Sequence, residues 1–488
     1  MEDFTPLILC GIETEYGLAI EGKGPEDQIE LATEFVKCYP NRCFVGWDSR
    51  FEFPRSDLRG FEVELLVVDP EDQKFERGSQ SFSSSVVRAD RILTTAGRLY
   101  NDHGHPEYAT PECESPWDLA AHDEFGEFVL FQTASAFEKQ TGLKTTIYKN
   151  NTDFHGASYG THESYLVPRE FSFEKLYKAL MPILVCRQIL TGAGKVGSET
   201  GEWCDFQISQ RADFMADEAS VMTLHQRPIF NTRDEPHADP TQWMRLHVIC
   251  GDANRMQRMN MTKVTLVGAA LHLMRLGVAP NIEIIDPVGT FKSISRDMTM
   301  KFEVKTKKGM MTAEEILHAY VDSAFENLGF PFNDELDGLA FTLGALREPE
   351  AEKSIEWLAK KKVVDTYREE EGLDPRDPAL VAVDLEFSRV NPNDGLYDFL
   401  RDSGEIKDWG SVPKTKGIGS SGRATVRAIA VREHLSHLDN ACWASLRFRT
   451  PKGIKDIRLS PTLQVPESSE FTGLDVESFI KKIEEANQ

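Results

Sequence analysis

Several features that would define a redox, zinc or membrane protein are missing from this chain. No two of its eight cysteines stand in a C-x-x-C pair. Scattered cysteines in a long chain are more typical of reduced core thiols than of a disulfide framework or a zinc site, and a lone catalytic cysteine is the alternative. No apolar run could span a bilayer, and residues 1–30 lack a basic segment followed by an apolar one. We therefore expect a cytoplasmic protein with no membrane partner.

Basic side chains are also scarce. The 488 residues include 55 Lys and Arg against 79 Asp and Glu, which gives a formal net charge of −24. This excess of acid argues against a nucleic-acid partner. The hydrophobic share of 40% is ordinary for a globular protein, and the length suffices for two or more domains.

The common phosphate-binding loops are not present either. There is no G-x-x-x-x-G-K-[ST], and the two formal G-x-G-x-x-G matches lie at 192–197 and 417–422. Such a loop binds a dinucleotide only between a strand and a helix, and neither match follows an apolar strand. Any bound nucleotide must be held by another architecture.

Residues 97–110 concentrate polar side chains of different chemistry. If this stretch is extended, one face carries a cation, a phenol and a carboxylate, from Arg98, Tyr100 and Asp102. Pro106 cannot continue a central strand, so we expect the chain to turn there and bring Glu107 and Thr110 beside that face. The alternative is an edge strand with a solvated polar face.

The first predicted strand also ends in acids. An apolar run at residues 7–10 leads into Glu13 and Glu15, which share a face because they are two residues apart. Burying both carboxylates requires a cation, and Mg²⁺ prefers oxygen ligands. The sequence predicts a metal site here; two solvent-facing acids are the alternative.

Residues 161–165 form another short extended segment. His162 and Glu163 point to opposite faces if the segment is a strand, so at most one of them reaches the metal. We assign His162 as a candidate ligand, the alternative being a hydrogen-bonded core histidine.

A third polar group follows between residues 207 and 247. It contains cations spaced among short apolar strand candidates, namely Arg211, Arg227, Arg233 and His247. Guanidinium groups suit phosphate oxygens, so these residues could form a phosphate clamp facing the metal. Pairing of the arginines with nearby acids is the alternative.

The rest of the chain shows helix starts, a long insertion and a domain boundary. Ser115-Pro116 and Thr312-Ala-Glu-Glu315 are helix starts, and a helix over residues 354–371 carries three lysines, 360–362, expected on a solvated face. Residues 44–90 resemble a long insertion between core strands. We expect one domain over residues 1–409 and a smaller one over 410–488, with Trp443 on a strand.

Taken together, these motifs resemble the Pup ligase and deamidase family over nearly the whole chain. The matching motifs are Gly-Ile-Glu13-Thr-Glu15-Tyr-Gly, Arg98-Leu-Tyr100-Asn-Asp102, His105-Pro-Glu107-Tyr-Ala-Thr110, Ile208-Ser-Gln-Arg-Ala-Asp and Asn231-Thr-Arg-Asp-Glu-Pro-His-Ala-Asp. The resemblance implies an α+β fold: a glutamine-synthetase-like domain with a curved, mainly antiparallel sheet packed by helices, plus a small C-terminal domain. By the same resemblance the cofactors are ATP and Mg²⁺, and a monomer is expected.

The resemblance also assigns roles to residues. Glu13, Tyr100 and Glu107 would hold Mg²⁺. Arg98 and Thr110 would contact ATP, and Trp443 would close over the nucleotide. Asp102 would be the catalytic carboxylate, as nucleophile or as general base.

Two branches of the family act on the C-terminus of Pup, a ubiquitin-like modifier. The insertion at 44–90 and the spacing of Asp102-His-Gly-His-Pro-Glu favour the deamidase and depupylase branch. In contrast, Gly-Ile-Glu-Thr-Glu resembles the first-strand motif of the ligases. Thr161-His-Glu-Ser-Tyr departs from the more usual Cys-His-Glu-Asn-Tyr. We expect hydrolysis of the terminal amide of Pup and of its isopeptide bond to lysine. The alternatives are a Pup ligase, a small-molecule glutamate–amine ligase and an inactive Pup-binding adaptor.

Overall fold

A computed structural model describes residues 9–64, 66, 85–154, 156–329, 332–408, 421–465 and 467–487. Strands β1 to β18 span Cys10–Glu15, Gly17–Ile20, Cys43–Val45, Arg91–Leu93, Arg98–Asp102, His105–Ala109, Thr145–Tyr148, Thr161–Pro168, Lys195–Val196, Phe206–Gln207, Met215–Ser220, Arg227–Asn231, Trp243–Val248, Glu303–Thr306, Gly309–Thr312, Leu438–Cys442, Ser445–Thr450 and Gly453–Arg458. Helices α1 to α14 span Gln28–Lys37, Ser85–Arg88, Pro116–Thr141, Phe173–Cys186, Gln188–Thr191, Gln257–Leu276, Pro287–Arg296, Ala313–Asn327, Asn333–Ala345, Glu356–Glu371, Pro378–Ser388, Leu396–Asp402, Gly422–Glu433 and Val476–Ala486.

One large sheet organises the fold. Its nine strands run in the order β11-β12-β13-β8-β1-β6-β5-β4-β3. The β11–β12 pair is parallel, and the other neighbours are antiparallel. The expected α+β fold with a mainly antiparallel sheet is confirmed.

The central strand β1 separates two environments. Its buried residues alternate with half-buried ones, so Ile12 and Thr14 face the core while Glu13 and Glu15 face the other side. The core side is covered by helices such as α4, α6 and α8 in one apolar cluster. Alternation with period two places both glutamates on one surface.

Two predicted helix starts are confirmed by their caps. The Ser115 hydroxyl accepts a hydrogen bond from the Asp118 amide at 3.1 Å, and Pro116 occupies the first turn of α3. Thr312 and Glu315 form a reciprocal capping box at the start of α8. Both helices therefore begin where local side-chain chemistry satisfies the free amides.

The turn predicted at Pro106 is wrong. The β5–β6 hairpin turns at His103 and Gly104, whose φ values are 47° and 95°. Pro106 lies inside β6 opposite Asn101, near the start of the strand, and its carbonyl accepts from the Tyr16 amide at 2.9 Å. A proline is tolerated near the first residue of a strand, so the turn forms at the glycine instead.

The expected solvated lysine face is also wrong in part. Lys360 is 1% exposed and pairs with Asp384 at 2.7 Å. Lys362 is half-exposed and pairs with Glu352. The three lysines point in different directions because successive helix positions are about 100° apart.

The C-terminal segment packs on the edge of the large sheet. Phe44, Ile92 and Tyr100 share one apolar cluster with Ile429 of α13 and Phe448 of β17. Trp443 occupies the turn between β16 and β17, so its predicted position on a strand is wrong. A two-residue turn replaces the expected continuous strand because Cys442 pairs with Ser445.

The predicted domain boundary near 410 and most of the second glycine motif lie outside the described residues, as do residues 65 and 67–84 of the insertion. The described part of the insertion runs along residues 232–234. The Leu58 amide donates to the Thr232 carbonyl at 2.8 Å, and the Asp234 amide donates to that of Ser56 at 2.9 Å. Within the described chain, no helix has the length and apolar character needed to cross a bilayer.

Candidate active site

A cleft of about 720 Å³ lies over the face of the sheet that carries the two glutamates. It brings together almost all of the predicted site residues: Glu13, Glu15, Arg98, Tyr100, Asp102, Glu107, His162, Arg211, Arg227, Arg233, His247 and Trp443. Thr110 lies in a smaller adjoining cavity, where its hydroxyl accepts from the Ile12 amide at 3.0 Å. Polar side chains from separate parts of the sequence thus converge on one surface.

Three carboxylates meet on the floor of the cleft. Oxygen atoms of Glu15, Asp102 and Glu107 all lie within 4.8 Å of one another. The Tyr100 hydroxyl donates to Glu107, and the Gly160 amide donates to Glu15 at 2.7 Å. We call these three residues the carboxylate trio.

The trio titrates in an unusual way. Burial and the charge of Asp102 raise the pKa of Glu15 to about 7, and burial raises the pKa of Glu107 well above its ordinary value. Burial also acts to raise the pKa of Asp102, but the charge and hydrogen bond of neighbouring His103, with Arg98 among the further causes, together lower that pKa below its usual range. Asp102 is therefore the ionised member, and its side chain is 32% exposed to the cleft.

This arrangement fits a hard divalent cation. Burying several ionised carboxylates together is favourable only when an opposite charge lies among them. Their oxygen atoms are the ligands that Mg²⁺ prefers. The pKa of Tyr100 is raised well above normal by burial and by Glu107, so its phenol stays protonated without a cation. Glu15, Asp102 and Glu107 are the residues that could hold the ion.

A second group of possible ligands lies beside the trio. Ligand atoms of Glu13, His162 and His247 are within 4.8 Å of one another, and the two imidazoles meet edge to face at 5.0 Å between centroids. Burial lowers the pKa of each histidine well below its ordinary value, with nearby Arg245 among the further causes. Both are neutral imidazoles, the form that binds metals.

Three arginines also line the cleft, namely Arg211, Arg227 and Arg233. Arg211 donates to the Ser158 hydroxyl at 2.8 Å, Arg227 to the Ser158 carbonyl at 2.9 Å and Arg233 to the Thr223 hydroxyl at 3.0 Å. Burial and the proximity of Arg227 lower the pKa of Arg211 to about 9. Mutually repelling guanidinium groups around a cleft favour a polyanionic ligand.

Arg98 forms a fourth cationic group. Its guanidinium carbon is 3.8 Å from the ring centroids of both Trp47 and Tyr100, and its Nη2 pairs with Asp90 at 2.5 Å. The rings of Trp47 and Trp443 meet edge to face, with 5.1 Å between centroids.

Sequence reasoning missed several residues of this site. Arg245 pairs with Glu13 at 2.9 Å, and Glu235 accepts from the Phe53 amide at 2.7 Å. Arg245 is two residues before His247, so strand alternation could have placed it on the cleft face. Nothing local in the sequence identifies Glu235, Asp90 or Trp47, which reach the site through long-range packing.

Comparison with known proteins identifies the family. A family model described as Pup-ligase protein matches residues 8–447. The chain belongs to the Pup ligase family. Within this family, curated relatives carry two kinds of name at similar identity.

Among the relatives is a depupylase from Acidothermus cellulolyticus, 33% identical over 93% of each chain. A Pup deamidase/depupylase from Mycobacterium tuberculosis is 33% identical over 90% of each chain. A Pup–protein ligase from Pseudarthrobacter chlorophenolicus is 35% identical over 82% of each chain. The comparisons therefore place the chain among Pup-related enzymes without separating the two branches.

Two solved structures share the fold. The complex between the prokaryotic ubiquitin-like protein Pup and its ligase PafA has a TM-score of 0.75 at 26% identity, covering 98% of this chain and 93% of that one. A structure of PafA with ADP has a TM-score of 0.71 at 28% identity, covering 88% of this chain and 96% of that one.

Proposed function

We propose that this chain is an ATP- and Mg²⁺-dependent hydrolase of Pup, a Pup deamidase and depupylase. The observation that carries the proposal is the carboxylate trio, in which Asp102 is both ionised and open to the cleft while Glu15 and Glu107 hold raised pKa values. A binding adaptor would not need such a carboxylate. Perturbed acids that converge in a cleft are typical of catalysis.

The hydrolase branch is supported by the insertion. Glu52, Pro54 and Leu66 from this segment line the cleft. The insertion is also tied to the strand region that carries Arg233 through the Asp57 carboxylate, which accepts from the Thr232 hydroxyl at 2.6 Å. A segment that is part of the cleft wall can contribute to selecting hydrolysis over ligation.

The chemistry follows from the position of Asp102. Its ionised carboxylate can attack the carbonyl carbon of the Pup side-chain amide or accept a proton from a water that attacks it. If Asp102 attacks, the C–N bond breaks to give a mixed anhydride, and a water then hydrolyses it and restores the Asp102 carboxylate. If Asp102 is the base, the water adds to the carbonyl directly. Either way one water is consumed: its hydroxyl goes to the Pup carbonyl and a proton goes to the nitrogen, so that ammonia or the substrate lysine leaves as the amine. A bound Mg²⁺ with ATP phosphates would supply charge neutralisation and electrophilic polarisation. Arg211, Arg227 and Arg233 would then bind and orient those phosphates.

Mass spectrometry of the purified protein tests the proposal. The protein is incubated with Mg²⁺, ATP and a Pup that ends in glutamine, and separately with a pupylated substrate. The expected results are a mass change equal to replacing an amide NH₂ by a hydroxyl, and release of free Pup from the conjugate.

Ligation is the second candidate, because ligase relatives match at 35% identity and the first strand has the ligase wording. Attachment of a glutamate-ending Pup to lysine with formation of ADP, and no hydrolysis, would replace the hydrolase by a ligase. Binding of Pup with neither reaction would leave only the adaptor.

A further inference from the structure

A closed ring of contacts surrounds the Arg98 side chain on the cleft wall. The Trp47 Nε1 donates to Glu52 at 2.6 Å, and Glu52 accepts from Arg88 at 3.1 Å. Arg88 pairs with Asp90 at 3.3 Å, and Asp90 pairs with Arg98 at 2.5 Å. The guanidinium carbon of Arg98 lies 3.8 Å from the centre of the Trp47 indole, and this contact completes the cycle.

This ring fixes Arg98 in every direction. The aromatic rings of Trp47 and Tyr100 set the plane of the guanidinium, since each centroid is 3.8 Å from its central carbon. Asp90 sets the rotation within that plane, because it accepts from Nε at 2.9 Å as well as from Nη2. Trp47 itself is 6% exposed, so it acts on a cleft ligand through its neighbours.

Trp47 also contacts the C-terminal segment. Its ring meets that of Trp443 edge to face, and the Asp48 amide donates to the Ala441 carbonyl at 2.9 Å. Arg427 also contacts Trp443: its guanidinium carbon is 4.7 Å from the centre of the ring, and it donates to the Trp443 carbonyl at 3.2 Å. Trp443 is therefore in contact with both Trp47 and Arg427.

Resting on the proposed nucleotide-dependent function, we propose that Trp47 is a positioning residue. It would hold the side chains of Arg98 and Trp443 at a fixed separation, so that both can bind one nucleoside triphosphate. Arg98 lines the cleft, and Trp443 lines both the cleft and the adjoining cavity. A phosphate and a nucleobase need these two kinds of group at a fixed separation. Trp47 lies between them and touches both.

The chain offers a matched control. Trp203 makes the same pair of contacts, with Arg376 5.2 Å from its ring and Asp205 accepting from its Nε1 at 3.0 Å. Trp203 is not among the residues that line the cleft. Replacing it removes a tryptophan–arginine contact at a distant surface.

The experiment measures Mg²⁺–ATP binding by calorimetry for Trp47→Leu, Trp47→Phe and Trp203→Leu. We expect Trp47→Leu to weaken binding about tenfold, as loss of one desolvated cation–π contact would. Trp47→Phe keeps an aromatic face and should recover most of the affinity, and Trp203→Leu should bind as the wild type does. Equal affinity of Trp47→Leu and wild type would overturn the proposal.

Steady-state kinetics separate positioning from damage to the fold. Positioning predicts a raised KM for ATP with kcat nearly unchanged at saturating ATP, whereas partial unfolding lowers kcat and leaves KM unchanged. If Trp47→Leu does not fold, Trp47→Met provides the same test, because its flexible side chain fills part of the space but offers Arg98 no aromatic face. Unchanged ATP affinity in that variant also overturns the proposal.

The two proposals fail in different ways. Wild-type protein that binds ATP but does not act on Pup refutes the hydrolase and leaves the role of Trp47 measurable by calorimetry. Wild-type protein that hydrolyses the Pup amide while Trp47→Leu keeps its ATP affinity refutes the role of Trp47 alone.

Discussion

The core of this protein and the carboxylate trio of the cleft neutralise charge in different ways. In the core, Glu163 pairs with Arg187 at 2.5 Å and Lys360 pairs with Asp384 at 2.7 Å. In the cleft, no lysine or arginine of the described residues forms an ion pair with Glu15 or Glu107, and Asp102 contacts only a histidine in this way. One strand even separates the two regimes, since Glu163 faces the core and His162 faces the cleft.

The difference indicates where a charge from outside belongs. A buried ion is costly unless a partner compensates for it. The core pairs carry their partners within the chain. Among the described residues Glu15 and Glu107 have no such partner, so their compensation must come from a bound cation or from protons, and the pKa of each carboxyl is raised accordingly.

The largest expected effect comes from replacing the ionised member of the trio. Asp102→Asn keeps the shape of the side chain but removes its charge and basicity, so turnover on Pup should fall by at least about 10³-fold. Binding of Pup should persist. Product formation by mass spectrometry and Pup binding by calorimetry check the two parts. Wild-type turnover in this variant would refute the assignment of Asp102.

The next effect breaks a core pair. Lys360→Met leaves Asp384 buried without its cation, and the free energy of unfolding should fall by about 3–5 kcal/mol. Denaturant unfolding followed by circular dichroism measures the loss. The control lies two residues away, because Lys362→Met removes a half-exposed pair with Glu352 and should cost less than about 1 kcal/mol. Equal losses in both variants would contradict the burial of Lys360.

A smaller effect tests the trio itself. Glu15 has a pKa of 4.5 when exposed but of about 7 in the folded protein. Ionisation of Glu15 therefore lowers the stability of the folded state progressively as pH rises through this range. Without metal, Glu15→Gln should therefore match the wild type at low pH and become more stable than it as pH rises from about 4.5 to about 7, by about 3 kcal/mol.

Unfolding in chelator across this pH range measures the difference between Glu15→Gln and wild type. Added Mg²⁺ should shrink the difference, because only the wild type keeps the full set of ligands. A difference that does not change with pH would show that Glu15 is not coupled to the other carboxylates.

Local rules identified much of this site. Strand alternation placed Arg98, Tyr100 and Asp102 on one face and paired Glu13 with Glu15, because that period depends only on the backbone. Helix starts at Ser115 and Thr312 were equally readable.

The errors came from tertiary packing. Pro106 lies in a strand because the turn forms two residues earlier, at Gly104. Lys360 is buried because the buried carboxylate of Asp384 pairs with it. The ring around Arg98 joins residues of the insertion to the sheet. No local pattern marks Trp47 or Asp90 as part of it, since their partners are fixed only when the chain has folded.

The contact between Trp47 and Trp443 also has a consequence for synthesis on the ribosome. Trp47 emerges early, whereas Trp443 follows only after all nine strands of the large sheet have been made. Until then, Phe44 and Ile92 lack the covering that Ile429 and Phe448 provide in the finished molecule. Exposed apolar surface of this kind attracts chaperones and other nascent chains. The nascent enzyme would therefore remain without its complete cleft wall, and inactive, until translation has passed Trp443.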